Sequence, residues 1–218
     1  MAFFRSVSYP ATESVLTGEH VTLRAPAPQD FAAWSSLREE SRGFLKPWEP
    51  KWPADDLSKA SYRRRLRRYS REMREDRSYP FFVFRRGDGE LLGGATLSNL
   101  RRGVSQCATL GYWMGAPHAG KGYMSEAVRL LMPFAFVRLR LHRVEAACLP
   151  RNRASITLLE KVGFRREGYA RRYLCIDGQW EDHILYARLA DDPEPPTYKA
   201  GMQSVFDTGT GLPEKETL

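Results

Sequence analysis

Apolar spacing along the chain switches between a period of two and a helical period, and the switches mark out the elements. Residues 20–25 alternate like a half-buried strand, which Pro26 and Pro28 end. Asp30 stands where it would cap a short helix running to about Glu40. Residues 43–50 carry Pro47 and Pro50, which argues against regular structure there. Asp55 and Asp56 then precede a long polar helix, expected over residues 57–76. Residues 79–86 and 90–97 read as strands around a hairpin turn at Gly87-Asp88-Gly89, and residues 107–114 as a third. A glycine-rich loop follows. Met124, Ala127, Val128, Leu131 and Ala135 then repeat at helical spacing through residues 123–137, with a kink or early end expected at Pro133. Residues 144–149 are an apolar strand. Asn152 opens a short helix that Gly163 stops, and residues 164–176 and 180–189 close the pattern as strands around Asp177-Gly178.

This order predicts an α/β (α+β) protein with one mixed central sheet flanked by helices. Residues 19–190 form the expected domain, residues 1–18 an N-terminal extension, and residues 191–218 a proline- and glycine-containing tail that is mostly irregular. A chain of 218 residues suits one domain with its own core. It has no apolar run long enough to span a bilayer and no apolar leader at its start, so a cytoplasmic location without a membrane partner is expected. Cys107, Cys148 and Cys175 are odd in number and widely spaced, which fits neither a disulfide framework nor a zinc site; no metal is expected. The net charge of +8 favours anionic partners without choosing among them.

The loop after the third strand carries the candidate chemistry. In Trp113-Met114-Gly115-Ala116-Pro117-His118-Ala119-Gly120-Lys121-Gly122-Tyr123-Met124 a strand enters a glycine-rich turn and the turn enters a helix. The first N–H groups of a helix lack internal partners, and glycines let backbone wrap an anion, so a diphosphate suits this place, with Lys121 adding charge. A plain tight connection is the alternative reading. Residues 115–121 also match most of a P-loop, but Gly122 stands where Ser or Thr should hold magnesium, and no dinucleotide-type G-x-G-x-x-G is present.

Residues 112–164 resemble the GNAT superfamily of N-acetyltransferases. The family's diphosphate loop reads Q/R-x-x-G-x-G/A, and the aligned residues are Ala119-Gly120-Lys121-Gly122-Tyr123-Met124, with Ala119 and Met124 departing from it. Leu149-Pro150-Arg151-Asn152-Arg153-Ala154-Ser155, followed by Val162-Gly163-Phe164, is similar to the family's strand, N-x-x-S helix and closing turn. Phe44-Leu45-Lys46-Pro47-Trp48-Glu49-Pro50, Glu167-Gly168-Tyr169 and Asp177-Gly178-Gln179-Trp180-Glu181-Asp182-His183 resemble the Rim-type ribosomal-protein alanine N-acetyltransferases in particular.

The resemblance implies direct acetyl transfer from acetyl-coenzyme A to a protein N-terminal α-amine, of a ribosomal protein, without a covalent acyl-enzyme. It implies that two neighbouring parallel strands, here residues 110–114 and 144–149, splay to hold the pantetheine arm. Backbone N–H groups near Trp113 and Met114 would stabilise the oxyanion, and Asn152 would contact the coenzyme arm besides capping its helix. Ser155 would be the catalytic acid that protonates the leaving thiolate. The side chains of Tyr112 and Trp113 read equally as core aromatics. Coenzyme contacts are expected at Trp113, Met114, Ala119, Gly120, Lys121, Gly122, Tyr123, Met124, Asn152 and Ser155. Trp48, Tyr169 and Tyr173, with Trp52, would wall a slot for the acceptor or pack as ordinary half-buried aromatics. Relatives carry a base where Thr109 or Ala147 stands, and neither is acidic here, so Glu145, Glu167, Asp182, His142 and His183 stay open. The alternatives are a GNAT enzyme for a small amine and a non-catalytic coenzyme- or RNA-binding module. The arginine-rich stretch from Arg63 to Arg77 is either a solvated face or a contact to ribosomal RNA; no DNA-binding motif is visible, and monomer and homodimer both remain open.

Overall fold

Alternating segments form strands close to where the pattern places them: β1 (Leu16–Thr17), β2 (Val21–Arg24), β3 (Tyr79–Arg85), β4 (Leu91–Arg101), β5 (Cys107–Met114), β6 (Arg143–Cys148), β7 (Arg165–Ile176) and β8 (Gln179–Leu189). The helices are α1 (Phe31–Glu40), α2 (Arg42–Leu45), α3 (Lys59–Arg74), α4 (Tyr123–Pro133) and α5 (Arg153–Lys161). The computed structural model describes residues 15–195, so the expected extension and tail lie largely outside the described residues. The strands build one eight-stranded sheet in the order β1-β2-β3-β4-β5-β6-β8-β7. Every neighbouring pair is antiparallel except β5 and β6.

Side chains of alternate sheet residues go to opposite faces, and each face has its own helices. Leu110, Val144 and Ala146 join Ala127, Val128 and Leu131 of α4 and Leu159 of α5 in the main core. On the other face Phe82, Leu91 and Trp113 meet Trp34 and Leu37 of α1 and Tyr62 of α3. The Tyr62 hydroxyl donates to the Ala27 carbonyl at 2.9 Å, which gives this buried phenol its partner.

Several local expectations change in the structure. Leu16 and Thr17, placed by the sequence reading in an extension, pair with β2 at the edge of the sheet. Residues 42–48 are helical despite Pro47, because the proline sits at the first positions of a 3-10 turn, where no intrahelical N–H is required. Asp30 does occupy the N-cap position of α1, yet its carboxylate caps nothing there. It turns back to accept from the Ala27 N–H at 2.8 Å and from both Arg24 guanidinium nitrogens at 2.7 and 2.6 Å. Ser58 caps α3, and Asp55 and Asp56, which precede it, pair with Arg64 and Arg65. At Pro133, as expected, α4 ends, and a π-helical turn follows over Phe134–Arg138.

Glu126 of α4 fastens the start of the sheet to the helix layer. It is buried, and its Oε1 accepts from the N–H groups of His20 at 2.8 Å and Val21 at 3.4 Å. Glu126→Ala leaves the buried Val21 N–H and the part-buried His20 N–H without this acceptor and is expected to lower unfolding free energy by about 2 kcal/mol. Urea denaturation followed by circular dichroism measures this; an unchanged midpoint would show that the tie is redundant.

Candidate active site

The centre of the sheet is open. β5 and β6 pair only at Cys107–Arg143, Ala108–Val144 and Thr109–Glu145. Beyond Thr109, β5 stays paired with β4 as far as Gly93–Met114, and β6 stays paired with β8 as far as Cys148–Ile184. The inner edges of Leu110–Met114 and Ala146–Cys148 therefore carry backbone donors and acceptors with no strand between them. Gly93 helps hold β5 away, because a Cβ there would meet the Trp113 carbonyl oxygen at 2.3 Å. Only glycine lets the two backbones come so close.

Downstream of the open edge, Ala116–His118 form a 3-10 turn and Gly122 becomes the N-cap of α4 at φ +86°. No side chain caps that end, so the first helical N–H groups point into the turn with the positive end of the helix dipole behind them. Gly120 and Gly122 are exposed, and a Cβ built at either would meet nothing within 4 Å, so there is open room on that side of the turn. Met124, which departs from the family's loop pattern, is buried in the main core and leaves that room clear. Lys121 is exposed beside it. Tyr123 packs partly against the main core.

The N-terminus of α5 faces the same opening. Asn152 Oδ1 accepts from the Ser155 N–H at 3.1 Å, which confirms the cap and fixes the first turn. The Ser155 hydroxyl lies 2.6 Å from the Tyr112 hydroxyl, so a hydrogen bond crosses from α5 to the free arm of β5. Burial pushes the Tyr112 phenol above its ordinary range, with the Ser155 bond opposing, and the ring remains an O–H donor at neutral pH. Burial likewise pushes the Cys148 thiol up, so it stays protonated beside Ser155. Tyr112 and Met114 pack partly against the main core, while Trp113 turns to the opposite face with Phe82. Both aromatics do pack, but Tyr112 also places a hydroxyl in the site. That was not visible in the sequence, because alternation fixes the face of a strand residue and not the docking of a helix over it.

Two loops meet at the other face. The Asp177 N–H at the β7–β8 turn donates to the Glu49 carbonyl at 2.9 Å, and Lys46 lies 3.5 Å from the Asp177 carboxylate. Arg151 pairs with Glu181 at 2.9 Å and sits 6.0 Å from the Trp48 ring, placing Trp48 near the start of α5. Tyr169 donates to Asp182 at 2.6 Å, and Tyr173 stands edge-on to His183 at 5.9 Å; both tyrosines are about half exposed on the hairpin. Trp52 turns inward. Its Nε1 donates to Glu49 at 2.7 Å, and the Arg38 guanidinium lies 4.2 Å from its ring and 5.0 Å from that of Trp113. Arg38, which the sequence did not single out, is buried and paired with both oxygens of Glu49 at 2.9 and 2.7 Å.

Among the acidic candidates, Glu145 and Glu167 are held by Arg101 and Arg143 at the closed end of the strand gap. The Arg143 guanidinium keeps the Glu167 carboxyl below its ordinary range, and Tyr169 does the same for Asp182. His142 is exposed at the start of β6, which is also the closed end. His183 is buried with Nδ1 2.9 Å from the Glu181 carbonyl; a carbonyl only accepts, so Nδ1 carries a proton and donates to it.

A sheet parted between parallel neighbours, with an anion-binding helix start and a hydroxyl pair along the gap, defines the N-acetyltransferase class of enzyme. The acetyltransferase (GNAT) domain family matches residues 20–165, and the chain belongs to that family. It is 37% identical over 83% of its length, and 99% of the relative's, to a Bacillus subtilis protein described as "Probable N-acetyltransferase YjcK". It is 34% identical, over 83% of its length and 93% of the relative's, to an Escherichia coli ribosomal protein uS5-alanine N-acetyltransferase. Mycobacterium smegmatis RimJ in complex with CoA-disulfide superposes with a TM-score of 0.74 at 36% identity, covering 78% of this chain and 82% of that one.

Glu49→Gln strips the buried Arg38 of its counter-charge while nearly preserving volume. It is expected to destabilise the protein by about 3 kcal/mol, seen as an earlier melt by differential scanning calorimetry. A melt equal to wild type would show that the two tryptophan rings and solvent suffice for the guanidinium.

Proposed function

We propose that this N-acetyltransferase uses acetyl-coenzyme A to acetylate the N-terminal α-amine of a protein, of the ribosomal-protein alanine type. The observation that carries the reading is the gap between β5 and β6, which supplies unpaired strand edges to a pantetheine arm at a fixed distance from an anion-binding turn. In this reading Gly120, Lys121, Gly122, Tyr123 and Met124 offer backbone N–H groups to the diphosphate, and Ala119 leads the chain into the turn. Trp113 and Met114 present backbone to the thioester, where an N–H stabilises the oxyanion. Asn152 sets the first turn of α5 and lines the arm.

The chemistry then needs little beyond placement. The amine nitrogen attacks the thioester carbonyl, the carbon–sulfur bond breaks, and the sulfur takes the Ser155 proton, which Tyr112 replaces through the 2.6 Å hydrogen bond and regains from solvent water. The amine's own proton leaves to water. A free α-amine titrates at about 7.7 to 8.0, so a useful share is neutral without a strong base. Fixing both reactants beside each other supplies several kcal/mol of the barrier reduction.

Trp48, Tyr169 and Tyr173 form the acceptor mouth in this reading, and the backbone tie between Asp177 and Glu49 keeps its two sides together. The protein-N-terminus assignment draws support from the 34% identical uS5-alanine relative, which spans nearly the same length. A panel of peptides beginning with Ala, Ser or Thr, incubated with acetyl-coenzyme A, is expected to gain one acetyl group on the α-amine by tandem mass spectrometry. Acetylation of polyamines or aminoglycosides in place of the peptides would overturn the acceptor assignment.

Ser155→Ala is expected to lower kcat by about a hundredfold, within the usual range for a general acid, with the KM for acetyl-coenzyme A changed little. Tyr112→Phe is expected to lower kcat by a smaller factor in the same direction. Steady-state kinetics with a fixed peptide decides; unchanged kcat in Ser155→Ala would remove the acid role.

A further inference from the structure

Helix α3 carries more arginine than its packing uses. Its inner face seats Tyr62 and Leu66 against Trp34 and Leu37, the cluster that also holds Trp113 of the free strand. Arg64, Arg65 and Arg68 are neutralised by Asp55, Asp56 and Glu72. Arg63, Arg67, Arg71 and Arg74 are different. They follow one another at i, i+4, i+8 and i+11, share the outer face, and are exposed. None has an acidic partner among the described residues. At about 1.5 Å per residue they make a rigid row roughly 16 Å long. Like charges at these spacings cost an isolated helix a few tenths of a kcal/mol each, and no described residue offsets that cost.

We infer that this row is a docking surface for the phosphate backbone of RNA. Arginine's planar fork binds phosphate in a bidentate way, and an arginine row meets a line of regularly spaced anions. The same face bears no large apolar side chain, which removes the anchor that a membrane-surface helix needs and the apolar centre that a protein interface needs. A sugar–phosphate backbone needs neither. The choice of RNA over other polyphosphates rests on the ribosomal-protein reading of the acceptor, whose native setting is RNA. The row lies on the sheet face that also carries the Trp48 and Trp52 loop, so RNA bound there would lie on the acceptor side of the sheet.

The test is fluorescence anisotropy of a labelled RNA hairpin against full-length protein across salt concentrations. Wild type is expected to bind with a steep salt dependence. Replacing Arg63, Arg67, Arg71 and Arg74 together by Gln should flatten the log–log slope by about 3, from 0.7 to 0.9 per lost contact, and weaken binding more than tenfold at physiological salt. Acetylation of a free peptide by the same variant should match wild type, which also shows that it folds. If the quadruple variant does not fold, Arg67→Gln alone should flatten the slope by about 0.8. Equal slopes for variant and wild type would overturn the inference, as would preferential binding of phosphatidylserine vesicles or polyglutamate over the hairpin. A wild type that binds the hairpin through this row but leaves peptides unmodified would count against the acceptor reading alone.

Discussion

The structure turns on an interruption in hydrogen bonding between two parallel strands. β5 and β6 share register at three positions and then part. Buried backbone donors and acceptors left without partners are costly, so such an opening persists only if each strand is held from its other side. β4 holds β5 along its length, aided by the close backbone approach at Gly93, and β8 holds β6 over the whole of the shorter strand. The two halves of the sheet thus act as separate walls. In the proposed reaction the substrate itself supplies the missing strand, so the energetic liability of the apo sheet becomes the binding site.

Around that gap the two faces of the sheet take different tasks. The α4–α5 face provides an uncapped helix start and the Tyr112–Ser155 hydroxyl pair. Burial keeps the Tyr112 phenol and the Cys148 thiol protonated, which suits a face where a thiolate must be quenched. The opposite face is built from aromatics and ion pairs: Arg38 between two tryptophans, Arg151 between Trp48 and Glu181, and two loops joined by a backbone hydrogen bond. Its acidic groups around the two loops are already engaged, Glu49 and Glu181 by arginines, Asp177 by Lys46 and Asp182 by Tyr169. An acceptor whose amine is partly neutral by itself fits such a face better than one that must be stripped of a tightly held proton.

Charge away from the gap follows the same division between used and unused groups. Most acidic side chains of the described residues pair locally, including Asp55 and Asp56 at the start of α3 and Glu167 on β7. Against that background the outer row on α3 is an excess that folding does not require, and a net charge of +8 concentrates part of its surplus there.

Much of this was legible in the linear order of residues. Alternation located every strand from Val21 onward to within a few residues, and Asn152 and Gly163 bounded α5, because caps, turns and amphipathic periods are set by neighbours in the chain. The glycine turn that leads into α4 was readable for the same reason: Gly120, Lys121, Gly122 and the start of α4 are contiguous. What the sequence misjudged or left open depended on partners far away in the chain. Leu16 and Thr17 form a strand because β2 and Glu126 are beside them. Met124 avoids the loop because a core receives it. Asp30 serves an arginine instead of a helix end. The hydrogen bond from Tyr112 to Ser155 and the burial of Arg38 against Glu49 exist only once α5 and the tryptophan loop dock. Local sequence set the elements and the shape of the anion turn, whereas the opening in the sheet and the pairing of groups across it came from packing between distant segments, where distance in space is independent of distance along the chain.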